Sequence, residues 1–199
     1  MKSKIFSALS EKPFLYAWIS EIFALIATNI FNFFLLLVVF DLTHSNTATS
    51  AVVLSLTIPS IIFGVIAGAY VDRWNKKKVL LIANLSRALL LVLLAFNVSN
   101  LFFLYTVAFV FSFLTQFFIP AELPMVPLVV NKKNLYSANA LFGMAIYGSL
   151  LISYIIAGPL IILLKPSGVS ILLAFMLLFA SLFILFIRLR NSKNLQDHK

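Results

Sequence analysis

Residues 64–80 read Gly-Val-Ile-Ala-Gly-Ala-Tyr-Val-Asp-Arg-Trp-Asn-Lys-Lys-Lys-Val-Leu. An apolar run with glycines at positions 64 and 68 leads into an acid, an arginine and three lysines, and a second apolar run follows at once. Because both flanks are too apolar to leave a bilayer, so short a charged link must lie in the headgroup region. The stretch therefore predicts a tight turn between two membrane spans, on the side that keeps positive charge.

The composition is that of an integral membrane protein. Of 199 residues, 62% are hydrophobic and 11% are charged, whereas a soluble domain has roughly 45–50% and 25%. The net charge of +9 is distributed between the apolar runs, so we interpret it as a topology signal and expect no nucleic-acid partner. Cysteine is absent, and His44 and His198 lie outside the apolar runs. We therefore expect no metal site and no cofactor, and we predict that the protein is not an enzyme.

Six apolar segments are long enough to cross a bilayer, which takes about 20 helical residues. They are predicted at 14–40, 49–71, 79–97, 101–119, 137–164 and 168–189. Between the fourth and fifth, three prolines interrupt segment 120–136, and Glu122 with two lysines is expected to keep it at the membrane interface. The predicted fold class is all-α, a single six-helix transmembrane bundle over residues 1–199.

Lysine and arginine are distributed unequally between the two ends of this bundle. The N-terminus, the 72–78 loop, the 120–136 link and the tail after residue 187 hold thirteen of the fifteen. The opposite side holds only Lys165, and Arg87 lies inside the third span. By the positive-inside rule, we predict a multi-pass protein of the plasma membrane with both termini in the cytoplasm.

The charged turn also carries a motif. Gly68-x-x-x-Asp72-Arg73-x-x-Lys76-Lys77 resembles the loop between helices 2 and 3 of the major facilitator superfamily, whose form is Gly-x-x-x-Asp-Arg-x-Gly-Arg-Arg/Lys. Asn75 stands where that family usually has Gly, and asparagine tolerates left-handed backbone geometry. The loop, Pro120-Ala121 and the start of the fifth span resemble the branch that holds macrolide and siderophore exporters. A plain positive-inside anchor is the alternative explanation of the loop.

The resemblance implies secondary transport by alternating access, with efflux of a small, partly apolar compound and coupling to protons. Transporters of this superfamily consist of two six-span halves, and the resemblance covers the amino-terminal one. The partners implied are the lipid bilayer, a small-molecule substrate, protons and a second half, which is either another copy or a carboxyl-terminal half. The alternative is a truncated, non-transporting half that acts as a membrane interaction subunit or is a remnant.

Two polar stripes lie on otherwise apolar spans. Their members recur at intervals of seven and four residues, which places each set on one helix face. Polar stripes of this kind should not face lipid. The resemblance implies that they line a central cavity, and hydrogen bonding that only holds helices together is the alternative. The candidate cavity-lining residues are Glu21, Thr28, Asn32, Tyr105, Ser112 and Gln116.

Glu21 and Arg87 are the charged residues inside the spans. A lone intramembrane charge is costly, so a partner or water is expected. We predict that the two side chains pair, or that Glu21 takes up a proton during transport. Asn84 stands where the exporter branch typically has an Asp as a partner for the arginine. The alternative for Arg87 is that its stem extends to the headgroups.

The remaining candidate sites come from the resemblance and from small-residue spacing. The loop residues Gly68, Asp72, Arg73, Lys76 and Lys77 are expected to gate alternating access, whereas an Asp that only balances nearby lysines is the alternative. Gly158-Pro159 resembles part of a motif of proton-coupled exporters. Two rows of small residues allow close helix approach, and contact with a second half or packing inside this half are equal alternatives for them. The rows are Ser60, Gly64 and Gly68, and Ala145, Ser149, Ser153 and Ala157.

Overall fold

The computed structural model describes residues 4–188, with side-chain surroundings from residue 6. Within that range the chain is helical and has no strand, which confirms the predicted all-α fold. Among residues 4–188, five helical segments are long and apolar enough to cross a membrane. The α-helices are α1 (Lys12–Thr43), α2 (Asn46–Val71), α3 (Lys76–Ala95), α4 (Leu101–Glu122), α5 (Val126–Val129) and α6 (Leu135–Phe186), and short 3-10 helices cover Lys4–Ser10, Leu123–Met125 and Lys132–Asn134.

Helix α6 is bent at Lys165, where the backbone is not helical (φ 59°, ψ 164°). The Phe142 ring lies 5.8 Å from that of Phe14, and the Phe186 ring lies 6.0 Å from that of Tyr16. A straight helix from 142 to 186 would be about 66 Å long. Since both its ends lie beside the start of α1, the chain must fold back at Lys165. The structure thus counts five long apolar segments where the sequence predicted six, because α6 is helical on both sides of the bend without a loop.

Polar side chains begin three of the long helices. Ser45, Asn75 and Asn100 each accept a hydrogen bond from a backbone N–H one turn into α2, α3 and α4, which satisfies an otherwise unpaired donor. Asn75 adopts an extended backbone (φ −71°), so the position does not use the left-handed geometry that asparagine tolerates. Among the described non-glycine residues, only His44 and Lys165 have positive φ.

Helix α1 lies against both arms of α6. The Trp18 indole N–H donates to the Leu141 carbonyl at 3.0 Å, and the Phe23 and Phe179 rings meet at 4.8 Å. On the other side, α2 packs on α4, where the Tyr105 hydroxyl donates to the Ala48 carbonyl. The core therefore runs along α1, and α2 is the least buried of the long helices.

The basic links meet at one end of the bundle. The Glu11 carboxylate accepts from the backbone N–H of Asn131 at 3.1 Å and from the Asn134 side chain at 2.7 Å. The Lys77 ammonium group donates to the Leu185 and Ile187 carbonyls at 2.8 and 2.7 Å. These contacts bring the start of α1, the 72–78 loop, the 131–134 turn and the end of α6 together.

The link between the fourth and fifth predicted spans is more helical and more buried than its prolines indicate. Helix α4 continues through Pro120 to Glu122, and the side chains of Met125, Val126 and Val129 are buried. Glu122 itself is only 9% exposed, so the expectation that it stays at the surface is wrong. A transmembrane helix can continue through a proline, because neighbouring helices satisfy the backbone groups that the proline leaves without a hydrogen bond.

Glu11 should hold the 131–134 turn in place. Replacing Glu11 with Ala removes the bonds to Asn131 and Asn134, and hydrogen bonds to a charged group contribute about 1.5–3 kcal/mol each, less where solvent reaches them. We expect faster proteolysis within 131–134 and a lower unfolding temperature in lipid nanodiscs. Lys12→Ala is the control, because Lys12 is the next residue and its side chain is exposed. This variant should change neither quantity. Equal behaviour of the two variants would contradict the prediction.

Candidate functional site

A cavity of about 170 Å³ lies between α1, α2 and α4. The side chains of Leu56 and Phe111 contribute apolar surface to its lining. The rest of the lining consists of uncharged polar side chains, of which four belong to the stripes predicted from the sequence. The polar lining residues are Thr28, Asn32, Ser60, Ser112, Thr115 and Gln116.

The two threonines of the cavity are accommodated by bonds to their own helices. Thr28 donates its hydroxyl to the Ala24 carbonyl at 2.8 Å, and Thr115 donates to the Phe111 carbonyl at 2.8 Å. Back-bonding of this kind lets an apolar helix carry a hydroxyl without an unsatisfied donor. The carboxamide of Asn32 makes no hydrogen bond with any group in the described part of the chain. Its donors and acceptor are therefore open to the cavity.

Two of the predicted cavity-lining residues lie elsewhere. The Tyr105 hydroxyl donates to the Ala48 carbonyl at 3.0 Å, so Tyr105 makes the interhelical hydrogen bond that was the alternative for the stripes. Glu21 is buried, but it does not line the cavity. It belongs to a separate charged cluster with Arg87 and Glu122.

Arg87 is the centre of this charged cluster, and its side chain is only 1% exposed. Its Nη2 donates to Asn84 Oδ1, and its Nη1 lies 3.3 Å from Thr28 Oγ1 and 3.4 Å from Thr115 Oγ1. The guanidinium carbon lies 4.5 Å from the centre of the Phe118 ring, a favourable cation–π arrangement. The alternative that Arg87 extends to the headgroups is therefore wrong, because its side chain points into the bundle.

The carboxyl groups of Glu21 and Glu122 lie close enough to each other and to Arg87 to interact electrostatically, and the charge of Arg87 attracts both. The predicted direct pair of Glu21 with Arg87 is replaced by a three-residue cluster, in which the guanidinium hydrogen bonds go to Asn84 and the threonines. Within the described range, four buried atoms of the cluster have no hydrogen-bond partner. They are Glu21 Oε1, Asn84 Nδ2, Arg87 Nε and Glu122 Oε1.

Glu122 is not among the residues predicted for the site, because the sequence prediction ends the fourth span at residue 119, before Pro120, whereas α4 continues to Glu122. A signal was available in its spacing. Glu122 follows Thr115 by seven residues, which is two helical turns and therefore the same face of α4. Had the helix been continued through the proline, the polar stripe would have included this acid.

The predicted gating loop lies at the basic end of the bundle. Asp72 and Arg73 are exposed, and the Asp72 backbone N–H donates to the Gly68 carbonyl at 3.1 Å. Lys76 donates its ammonium group to carbonyls at the end of α2, and Lys77 does the same for α6. Lysines in these places stabilise the negative ends of helices. The gating role of Asp72 stays a prediction, since its carboxylate meets no partner among residues 6–188.

The row of small residues in α6 is buried against α1. Asn29 Nδ2 donates to Ser149 Oγ at 3.4 Å, and Ser153 Oγ donates to the Ile26 carbonyl at 3.3 Å. The other two members, Ala145 and Ala157, are buried as well. This row therefore packs inside the chain, which was the alternative to a contact with a second half.

The other small residues named from the sequence lie in more open surroundings. Ser60 is exposed and borders the cavity. A Cβ at Gly64 would lie 3.6 Å from Gln116 Oε1, whereas one at Gly68 or Gly158 would meet no heavy atom within 4 Å. Pro159 is exposed within α6. The motif role of Gly158-Pro159 and the contact role of the α2 row stay predictions.

Comparison with known proteins agrees with this architecture. A profile of the Major Facilitator Superfamily matches residues 17–199. A Bacillus subtilis (strain 168) protein described as the uncharacterized MFS-type transporter YjbB is 40% identical over 74 residues, which are 35% of this chain and 18% of that relative. The chain thus matches less than a fifth of the relative's length. The family profile covers most of the chain, and with its long apolar helices the protein is a multi-pass membrane protein that belongs to the Major Facilitator Superfamily.

Proposed function

We propose that this chain is the amino-terminal six-span half of a secondary transporter, which moves a small, partly apolar compound by alternating access. The observation that carries the proposal is the 170 Å³ cavity between α1, α2 and α4, whose lining is polar although the helices around it are apolar. Burying so many hydrogen-bonding groups away from lipid is expected where a polar solute must pass. Family membership and the similarity to a relative described as an MFS-type transporter support the same function.

The membrane arrangement follows from the bend in α6 and from the charges. If the two arms of α6 on either side of Lys165 each cross the bilayer, the bundle has six spans and both chain ends lie on one side. The contacts of Glu11 and Lys77 place the basic links at that same end. By the positive-inside rule this end faces the cytoplasm, and we propose the plasma membrane as the location.

Efflux and proton coupling are finer parts of the proposal. The 68–77 loop resembles that of the macrolide and siderophore exporter branch, and Gly158-Pro159 resembles part of a motif of proton-coupled exporters, which favours the outward direction. The buried carboxyls of Glu21 and Glu122 supply a place for a proton within the bundle. Asp72 and Arg73 are exposed at the basic end, where they are available to gate contacts with a second half.

The test is energised transport in everted membrane vesicles from a bacterial host that lacks its major drug exporters. The probes are radiolabelled chloramphenicol, tetraphenylphosphonium and salicylate, which are uncharged, cationic and anionic. We expect at least one probe to accumulate above the empty-vector level and to be released by a protonophore. The double variant Asn32→Leu/Gln116→Leu should lose this accumulation. The control Thr106→Val should keep it, because Thr106 is exposed on α4 and bonds only to its own helix.

The opposite results are equally informative. If none of the three probes accumulates above the vector level, the chain by itself does not transport them, and the alternative of a non-transporting half that acts as an interaction subunit or is a remnant is favoured. If Glu21→Gln transports with unchanged dependence on the proton gradient, Glu21 is not the proton site. Both measurements use the same vesicles, and immunoblotting of each variant corrects for expression.

A further inference from the structure

We propose that the cavity between α1, α2 and α4 binds an uncharged compound and holds it by the carboxamides of Asn32 and Gln116. The proposal rests on the proposed function, since it names the chemical class of the substrate at that site. The compound needs both a hydrogen-bond donor and an acceptor, as an amide, lactam or urea has, attached to an apolar group.

The charges of the bundle are held away from the cavity. Among the residues that the structure describes, no Asp, Glu, Lys or Arg lines it. The guanidinium of Arg87 lies behind Thr28 and Thr115, whose hydroxyl oxygens it contacts, and the carboxyls of Glu21 and Glu122 lie with it. A cationic compound would therefore find no carboxylate in this wall, and an anionic one would find no exposed cation. Desolvating either charge without a partner is costly.

The hydroxyl groups of the cavity are already used within the protein. Thr28 and Thr115 donate to carbonyls of their own helices and accept from Arg87. Ser60 donates to the Thr57 carbonyl at 2.7 Å, and Ser112 donates to the Leu56 carbonyl of the neighbouring helix. A compound in the cavity thus meets hydroxyl oxygens whose protons point elsewhere.

The two carboxamides are the groups with capacity left. Asn32 has no hydrogen-bond partner among the described residues, and Gln116 uses one N–H for the Ser112 carbonyl at 3.1 Å. Each side chain can donate and accept, and they project from α1 and α4 into one cavity. Leu56 and Phe111 supply apolar surface beside them. This combination selects an uncharged group that can donate and accept together with a small hydrocarbon part.

The class of compound is testable by binding to the purified chain in lipid nanodiscs. N-benzylacetamide, benzyltrimethylammonium and 3-phenylpropionate have similar size and are neutral, cationic and anionic. The rise in unfolding temperature with ligand concentration gives each dissociation constant. We expect N-benzylacetamide to bind most tightly. Asn32→Leu and Gln116→Leu should each weaken it about 2- to 12-fold, the equivalent of one neutral hydrogen bond, and Thr106→Val should leave it unchanged.

Charge-inserting variants that preserve shape make the test independent of folding defects. Asn32→Asp and Gln116→Glu keep the side-chain size but place a carboxylate in the wall, and they should reverse the preference toward benzyltrimethylammonium. The proposal is overturned if the unmodified protein prefers either charged probe, if both Leu variants keep full affinity for the amide, or if none of the probes binds. Amide binding in a chain that fails the vesicle assay would support the binding class and remove the transport function. Transport by a chain that prefers the cationic probe would support the transport function and overturn the proposed class of compound.

Discussion

Arg87→Met is expected to destabilise the bundle by about 3–5 kcal/mol, the usual loss when one member of a buried charged group is removed. The guanidinium attracts the carboxyls of both Glu21 and Glu122. Without it, two buried acids face each other with no positive charge between them. Asn84 would lose its donor as well, since Arg87 Nη2 bonds to Asn84 Oδ1.

Denaturant unfolding in nanodiscs, followed by the intrinsic fluorescence of the two tryptophans, measures this loss. Arg73→Met is the matched control, because Arg73 is exposed and its removal should change stability by less than about 0.5 kcal/mol. The loss of stability for Arg87→Lys should lie between those of Arg87→Met and Arg73→Met. Lysine keeps the charge but lacks the planar guanidinium that reaches two hydroxyls and an amide. A loss below 1 kcal/mol for Arg87→Met would show that the cluster is not a stabilising unit.

A double variant separates the charge from the packing of the arginine. If Arg87→Met is harmful because it leaves two acids together, Arg87→Met/Glu122→Gln should recover part of the lost stability. A coupling energy of about 0.5–3 kcal/mol is typical of residues in one network. Strictly additive effects of the two substitutions would indicate that Arg87 acts only through its bulk and its ring contacts.

Ser153→Leu is the second substitution with a large expected effect. Ser153 is 0% exposed, and its hydroxyl donates to the Ile26 carbonyl of α1 at 3.3 Å. A leucine there must push α6 away from the α1 backbone, and overpacking of this kind costs about 1–3 kcal/mol. Loss of the interhelical hydrogen bond adds about 0.6 kcal/mol. The same unfolding assay should therefore show a clearly lower stability.

Two controls give the result its meaning. Ser153→Ala removes only the hydrogen bond and should be mild. Thr57→Leu makes a comparable polar-to-apolar change on the exposed face of α2, where the hydroxyl bonds only to its own helix, and should be nearly neutral. If Ser153→Leu is as stable as Thr57→Leu, the row of small residues in α6 is not a close helix crossing, and its use as a contact with a second half returns.

Much of the fold was predictable because a bilayer constrains it so strongly. The lengths of the apolar runs predicted the positions of the long helices. The basic links predicted that the charged segments lie at a common end, and the contacts of Glu11 and Lys77 show that these segments meet at one end of the bundle. The spacing of seven and four residues placed Thr28 and Asn32 on one face of α1, and Ser112 and Gln116 on one face of α4. The structure brings all four to the same cavity.

The features that the sequence did not predict depend on contacts between helices that are distant in the sequence. Whether Arg87 reaches out to the headgroups or into the bundle is decided by hydroxyls and rings on α1 and α4, which a single helix does not reveal. Glu122 was placed at the surface because proline was taken to end a helix, although surrounding helices allow it to continue. The small residues of α6 have a spacing that suits any close partner, and only the packed chain shows that the partner is α1.

The Glu21–Arg87–Glu122 cluster also sets an order of events during synthesis. Glu21 leaves the ribosome about 66 residues before Arg87, which is roughly 3–13 seconds at 5–20 residues per second, and about 101 residues before Glu122. During that interval α1 carries a carboxyl whose partners do not yet exist. The stabilisation that the cluster gives α1 is therefore unavailable until α3 and α4 have been synthesised. Assembly of this bundle is consequently completed late, and a pause between α1 and α3 would prolong the stage at which the chain is exposed to quality-control proteases.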